Sequence, residues 1–150
     1  METNRTIKVV RSFATLALTL CFIAQPASAQ PAFEGKFSLA HETQWGPVTL
    51  MPGDYSFTLS SQSANGIVVV RDDESGNPAG IILTGSCENQ VSSANSDLVL
   101  ARSGGKTVVR SMELKEIGMT FRYAMPKAGR QIFAQGPILF QRVPVSINGK

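Results

Sequence analysis

The chain alternates short apolar segments with turn-forming residues, and this alternation constrains its fold more than any other feature. Segments such as Tyr55–Leu59 and Ile117–Tyr123 place a large apolar side chain at every second position. Side chains along a β-strand point alternately to its two faces, so such segments are typical of half-buried strands. Gly, Pro and Asn separate the segments, and no segment of any length has a helical period. The sequence therefore predicts an all-β domain.

Short antiparallel strands without crossover helices bury one face each, and a sandwich or barrel hides most of their edges. We therefore expect an antiparallel β-sandwich or barrel of about eight strands, in a single domain over residues 30–150. The predicted strands are Phe37–Trp45, Tyr55–Leu59, Ile67–Arg71, Gly80–Thr84, Leu98–Arg102, Lys106–Leu114, Ile117–Tyr123 and Ile138–Val143.

Residues 1–29 have the pattern of a cleaved secretory signal peptide. A basic head that includes Arg5 and Arg11 precedes an apolar run from Phe13 to Ala24, and Ala27-Ser28-Ala29 supplies the small residues of a cleavage site. The apolar run is shorter than the ~20 residues that a membrane-spanning helix needs. We expect cleavage after Ala29, a periplasmic or extracellular location and no stable membrane anchor.

The mature chain is almost neutral. Removal of residues 1–29 takes away three of the 14 Lys and Arg residues and one of the 11 Asp and Glu residues, leaving a net charge of +1. No Lys or Arg cluster remains to bind a nucleic acid. No phosphate-cradling glycine loop is present, so the sequence predicts neither a nucleic-acid partner nor a cofactor.

One local motif resembles a known group of proteins. Trp45-Gly46 is followed by the turn Leu50-Met-Pro-Gly-Asp-Tyr55 and then by an alternating strand. This arrangement resembles small exported β-proteins of acidobacterial type, which carry a Trp, a Leu-Pro-x-Gly-x-Tyr-like turn and β-hairpins. The resemblance covers roughly Phe37–Leu83, and Met51 makes the turn a variant of the pattern. It implies an exported all-β protein and no particular activity.

The aromatic residues Trp45, Tyr55 and Tyr123, together with His41, form the predicted ligand-binding set. Aromatic rings suit the apolar faces of sugars and similar ligands. The same four residues lie on the predicted apolar strand faces, where His41 follows Phe37 and Leu39 with period two. Two interpretations follow, a core of packed side chains or a platform in the mouth of a barrel that holds a small apolar ligand.

Two other groups of residues carry weaker hypotheses. Cys87 is the one cysteine after residue 29 and His41 the one histidine, so a small Cys/His-dependent hydrolase is conceivable if the fold pairs them. Asp72, Asp73 and Glu74 crowd carboxylates into one turn and are a weak calcium candidate, although their spacing is not that of an EF-hand. A solvated acidic turn is the alternative.

The segments Ile67–Val70 and Ile81–Leu83 are apolar without alternation. A strand of this kind is typical of a position covered on both faces. We expect a hairpin that is central in the sheet or covered by a partner protein or a second copy of the chain. With no catalytic constellation in the sequence, the function predicted first is an exported non-enzymatic binding or interaction module of the cell envelope. The ligand-holding barrel and the hydrolase remain as alternatives.

Overall fold

The computed structural model describes residues 33–61, 66–125 and 136–147. The predicted signal peptide lies outside the described residues. In the described part, the chain forms twelve strands and one 3-10 helix, Lys115–Ile117. The strands are β1 Phe33–Leu39, β2 Thr43–Trp45, β3 Val48–Leu50, β4 Gly53–Leu59, β5 Ile67–Asp72, β6 Pro78–Leu83, β7 Ser86–Glu88, β8 Asp97–Ser103, β9 Lys106–Leu114, β10 Met119–Arg122, β11 Leu139–Pro144 and β12 Ser146–Ile147.

The strands form two sheets. The front sheet has the order β12-β1-β4-β5-β6, and its strand pairs are all antiparallel. The back sheet has the order β11-β8-β9-β10-β7. The β2–β3 hairpin joins the back sheet through one parallel pair, Gln44 with Val108. The predicted all-β sandwich or barrel is therefore confirmed.

The chain crosses between the sheets on both sides of the sandwich. At Thr84–Gly85 it leaves β6 for β7, and the Gly85 amide donates to the Arg122 carbonyl at 2.9 Å. At Val145 it leaves β11 for β12, and the Val145 amide donates to the Ser96 carbonyl at 2.9 Å. On each side of the sandwich, the chain therefore runs directly from the edge strand of one sheet to the edge strand of the other. These two crossings close the sandwich partly, as in a barrel.

The space between the sheets is filled by apolar side chains from both of them. Gly80 is required on the inner face of β6, because a Cβ there would lie 2.5 Å from Val48 Cγ2. The β2–β3 hairpin can therefore approach the front sheet closely at this point. The largest fully buried side chains are Trp45, Phe57, Phe121, Leu50, Leu59, Ile82, Leu98, Met112 and Leu114.

The structure has more strands than the predicted eight, because several strands of only two or three residues are too short to show an alternating pattern. The predicted strand Phe37–Trp45 is two strands, since β1 ends at Leu39 and the chain bends before β2 begins at Thr43. His41 lies in this bend and is exposed. Its predicted place on the inner face is therefore wrong, because the strand that would put it there has ended.

The apolar hairpin lies at an edge, which corrects the prediction of a central position. β6 pairs with β5 on one side, and no other described strand hydrogen-bonds to its other side. Only the inner face is covered: Val68, Val70 and Ile82 are buried, whereas Ile81 and Leu83 are 60% and 68% exposed. Among the described residues, none therefore covers the outer face of the hairpin.

Candidate functional site

The three aromatic residues of the predicted ligand platform lie in the core. Trp45, Tyr55 and Tyr123 are all buried. The Trp45 and Tyr123 rings meet edge to face with centroids 5.2 Å apart, and Phe37 stacks on Tyr55 at 5.7 Å. The ring faces contact one another, so the stacking platform for a ligand is not formed. The alternative of core packing is the correct one.

Tyr55 has a specific role in that core. Its Oη donates a 2.8 Å hydrogen bond to the carbonyl of Met51, four residues earlier. The side chain thereby fastens the turn through Pro52 and Gly53, which carries the chain from β3 in the back sheet to β4 in the front sheet. The arrangement is similar to the tyrosine corner of β-sandwich proteins. This gives the motif Leu50–Tyr55 a physical explanation.

Cys87 lies on β7, opposite Phe121 of β10, and packs against the core. Burial, together with the nearby Glu88 carboxylate, raises the pKa of the Cys87 thiol. Reactive cysteines have a lowered pKa, because the thiolate is the nucleophile. His41 lies exposed in the bend before β2. The surroundings of Cys87 are therefore not those of an activated thiol nucleophile.

The Asp72 and Asp73 carboxylates of the acidic turn after β5 bind different partners. Asp72 Oδ1 accepts the Ser75 amide at 2.7 Å, and this hydrogen bond lowers the pKa of Asp72. Asp73 Oδ2 pairs with Lys36 Nζ at 2.7 Å, which lowers the pKa of Asp73. In the described part of the chain, no group of three or more His, Cys, Asp or Glu side chains is placed to hold a metal ion. The geometry therefore gives the calcium candidate Asp72, Asp73 and Glu74 no support, since two of its carboxylates bind the Ser75 amide and Lys36.

A groove of about 710 Å³ opens beside β1, where the front sheet meets the crossing at Val145. Its rim is charged: Lys36 pairs with Asp73, and Ser38 donates a hydrogen bond to the Asp54 carboxylate. The edges of the Phe37 and Tyr55 side chains lie at its base. Because these four rim side chains pair with each other, they are not free to select a ligand.

A row of charged side chains crosses the outer face of the back sheet. Asp97 on β8 and Glu113 on β9 are directly opposite each other. Arg142 Nη1 on β11 lies 3.3 Å from Asp97 Oδ2 and 2.9 Å from Glu113 Oε2. At the other side of the sheet, Arg122 pairs with Glu88 through two hydrogen bonds of 2.7 and 3.0 Å. We call these five residues the charge row.

The loop before β8 covers part of this face. Ser92 Oγ donates to Glu113 Oε1 at 3.0 Å, and Thr120 Oγ1 donates to the Gln90 carbonyl. A polar pocket of about 170 Å³ remains between this loop and the sheet, lined by Glu88, Gln90, Ser92, Ser111, Glu113, Thr120 and Arg122. Most of these residues hydrogen-bond to one another, Glu88 to Arg122, Ser92 to Glu113 and Thr120 to the Gln90 carbonyl, which indicates a structural network.

No local sequence pattern signals the charge row directly, because its members come from five strands. Asp97, Glu113 and Arg142 are far apart in the chain and meet only through the strand order β11-β8-β9. A charged residue inside an apolar strand, such as Glu113 between Met112 and Leu114, was the one available indication of it.

The outer face of the β5–β6 hairpin is the clearest exposed apolar surface of the front sheet. Ile67 pairs with Leu83, and Val69 pairs with Ile81. Ile67, Ile81 and Leu83 are exposed and Val69 is half-buried. We call these four side chains the hairpin face. On β1 and β4, the same side of the sheet carries polar residues such as Lys36 and Thr58, so the apolar surface is confined to the sheet edge.

A second exposed apolar group lies on β11, at the edge of the back sheet. Leu139 and Phe140 are each 67% exposed. Consecutive strand residues point to opposite faces, so these two side chains do not form one surface, and Ile138, which is 39% exposed, lies just before the strand. The hairpin face therefore remains the best candidate for a functional surface among the described residues.

Comparisons with known proteins find no relative of this chain. No family model, no curated protein and no solved structure matches the chain. Among the described residues, none of the helical structure is long and apolar enough to span a bilayer. Only the structure itself therefore bears on function.

Proposed function

We propose that this protein is an exported, non-enzymatic interaction module of the cell envelope, and that it binds a protein through the hairpin face. The observation that carries the proposal is the pairing of exposed apolar side chains across β5 and β6, Ile67 with Leu83 and Val69 with Ile81. Apolar residues exposed singly need no explanation, whereas a contiguous group at the surface marks an interaction site.

The location of the hairpin face supports a protein partner. A strand at a sheet edge presents unpaired backbone donors and acceptors, which proteins usually protect with charged side chains, proline or a bulge. In β6, no charged residue lies between Pro78 and Leu83. A bulge between Val70 and Arg71 and the proline at Pro78 affect only the start of the strand. In the described part of the chain, none of these protective features lies at the part of the edge next to Ile81 and Leu83.

The two alternatives have less support. A barrel that holds a small apolar ligand needs an apolar interior open to the ligand, and the rings of Trp45, Tyr55 and Tyr123 instead pack on one another. A thiol hydrolase needs an activated cysteine, and the pKa of the Cys87 thiol is raised. The proposed interaction module needs neither feature.

Site-specific photo-crosslinking in the source organism tests the proposal. A photoreactive amino acid is placed at Leu83, and in a second strain at Leu139, whose exposed fraction is almost the same. We expect position 83 to give one defined adduct, with another protein or with a second copy, that position 139 does not give. The same adducts from both positions, or none from position 83, would contradict the proposed function.

The exported location has its own test. The N-terminal residue of the protein recovered from the envelope or the medium is determined by mass spectrometry. The signal-peptide pattern predicts Gln30 as the first residue. A chain found in the cytoplasm with residues 1–29 attached would contradict it.

A further inference from the structure

We infer that the partner of the hairpin face is a second copy of this chain, and that two copies join their β6 edges antiparallel about a two-fold axis at Ile82. This inference rests on the proposed function and names its partner. The two front sheets, each of five strands, would become one continuous sheet. In this pairing, the same contact would bury both the backbone groups at the free edge of β6 and the apolar side chains of the hairpin face.

The backbone of β6 is oriented for this pairing. The Thr84 amide donates to the Gly66 carbonyl at 3.1 Å, so Gly66 and Thr84 form a hydrogen-bonded pair of the β5–β6 ladder. Antiparallel ladders alternate hydrogen-bonded and non-hydrogen-bonded pairs. The pairs Ile67–Leu83 and Val69–Ile81 are therefore non-hydrogen-bonded, and the N–H and C=O groups of Leu83 and Ile81 point toward the free edge.

These backbone directions allow a register that pairs the exposed side chains of Ile81 and Leu83 with each other. With the two-fold axis at Ile82, Ile81 of each copy lies opposite Leu83 of the other. Both such pairs are then hydrogen-bonded pairs, which gives four backbone hydrogen bonds across the axis. The outward side chains of Ile81 and Leu83 also become cross-strand neighbours, and the two hairpin faces merge into one apolar stripe.

The size and charge of the surface favour this arrangement over other self-contacts. Three exposed side chains and one half-buried side chain cover much less than the ~800 Å² per partner of a standard stable interface. Stacking of one hairpin face on another would bury little more than this, whereas edge pairing adds the backbone ladder. Since Pro78–Leu83 carries no charge, two copies of β6 also meet without repulsion.

Sedimentation equilibrium of residues 30–150 is the first test. We expect a reversible monomer–dimer equilibrium. Leu83→Lys should weaken the dimer at least ~tenfold, because it places like charges near the axis and removes apolar contact. Leu139→Lys is the matched control and should leave the equilibrium unchanged, since β11 lies in the other sheet. Circular dichroism confirms that both variants remain folded.

Disulfide trapping tests the register. In a Cys87→Ser background, Ile81→Cys is mixed with Leu83→Cys under mild oxidation. Opposed hydrogen-bonded residues have Cα atoms ~5.5 Å apart, within the 4.4–6.8 Å range of a disulfide. The mixture should therefore give mixed dimers, whereas each variant alone should give few, because identical positions lie diagonally across the axis.

The outcomes separate the inference from the proposed function. A dimer that Leu83→Lys weakens and that traps only as the mixed pair supports the inference. A monomer at millimolar concentration, or a dimer that Leu139→Lys weakens instead, overturns it. If the chain is monomeric but position 83 crosslinks to a different protein, the inference fails and the proposed function stands. If position 83 also gives no adduct, both fail.

Discussion

Asp97 and Glu113 lie directly opposite each other on neighbouring strands, and both carboxylates accept a hydrogen bond from the same Nη1 atom of Arg142. Like charges directly opposite in a sheet repel each other. Both carboxylates are also nearly inaccessible, with 10% and 7% of their side chains exposed. The positive charge of Arg142 therefore offsets the repulsion between these two acidic residues.

Arg142→Ala should destabilise the protein by about 2–3 kcal/mol. A buried charge that loses its partner costs roughly 3–5 kcal/mol, and we expect less here because Arg142 itself is 45% exposed. Arg102→Ala, on the outer part of β8, is the control and should change stability by less than about 0.5 kcal/mol. Urea unfolding measures both, and equal effects of the two variants would contradict the role of Arg142.

Tyr55→Phe and Tyr123→Phe should have opposite consequences, although both side chains are buried. Tyr55→Phe removes the hydrogen bond to the Met51 carbonyl, which should cost about 1 kcal/mol. Tyr123 Oη has no hydrogen-bond partner among the described residues, so its removal should be neutral or stabilising. The melting temperatures of the two variants, compared with that of the parent chain, test both predictions. A large loss for Tyr123→Phe would mean that its hydroxyl group is satisfied in solution.

Gly80→Ala should destabilise the protein by about 1–3 kcal/mol, the range for an overpacked core. The added methyl group would approach Val48 to 2.5 Å, which is closer than real contacts allow. Val48→Ala frees this space, so the double variant Gly80→Ala/Val48→Ala should lose less stability than the sum of the two single losses. Additive losses in a denaturant-unfolding cycle would show that the Gly80–Val48 contact is not the cause.

Stability should fall on acidification partly through Glu88. The two hydrogen bonds from Arg122 lower the pKa of Glu88 in the folded chain. A carboxyl group with a lowered folded pKa stabilises the fold above its unfolded pKa, about 4.3 for Glu, and this contribution disappears as pH falls through the folded value. Unfolding free energy should therefore decline below about pH 4. Glu88→Gln should decline less steeply over this range, and parallel profiles would contradict the role of Glu88.

Local pattern was sufficient to predict the strand faces. Phe37, Leu39, Tyr55, Phe57 and Phe121 all lie inward as the period of two required. The prediction failed at His41, because a bend after Leu39 interrupts the alternation without an obvious breaker residue. Alternation records which side chains share a face, and it does not record where a strand stops.

The pairing of strands that are far apart in the chain could not be predicted from local sequence patterns. The Asp97–Glu113 pair depends on the register of β8 and β9, which shifts at the bulge between Val99 and Leu100. The apolar runs Ile67–Val70 and Ile81–Leu83 predicted a hairpin that is central or covered by a partner, and only the strand order shows that its second strand, β6, lies at the edge. The three-residue strand around Cys87 is too short to show a period at all.

The pairing of β1 with β12 has a consequence for the order in which the protein is built. β1 is the first strand of the described chain to leave the ribosome or a translocation channel, and β12 is the last. The front sheet therefore remains one strand short until residue 147 has emerged. Contacts between such distant segments slow folding. A chain shortened before β12 would keep an open edge beside β1, and it would be the form most exposed to aggregation and proteolysis.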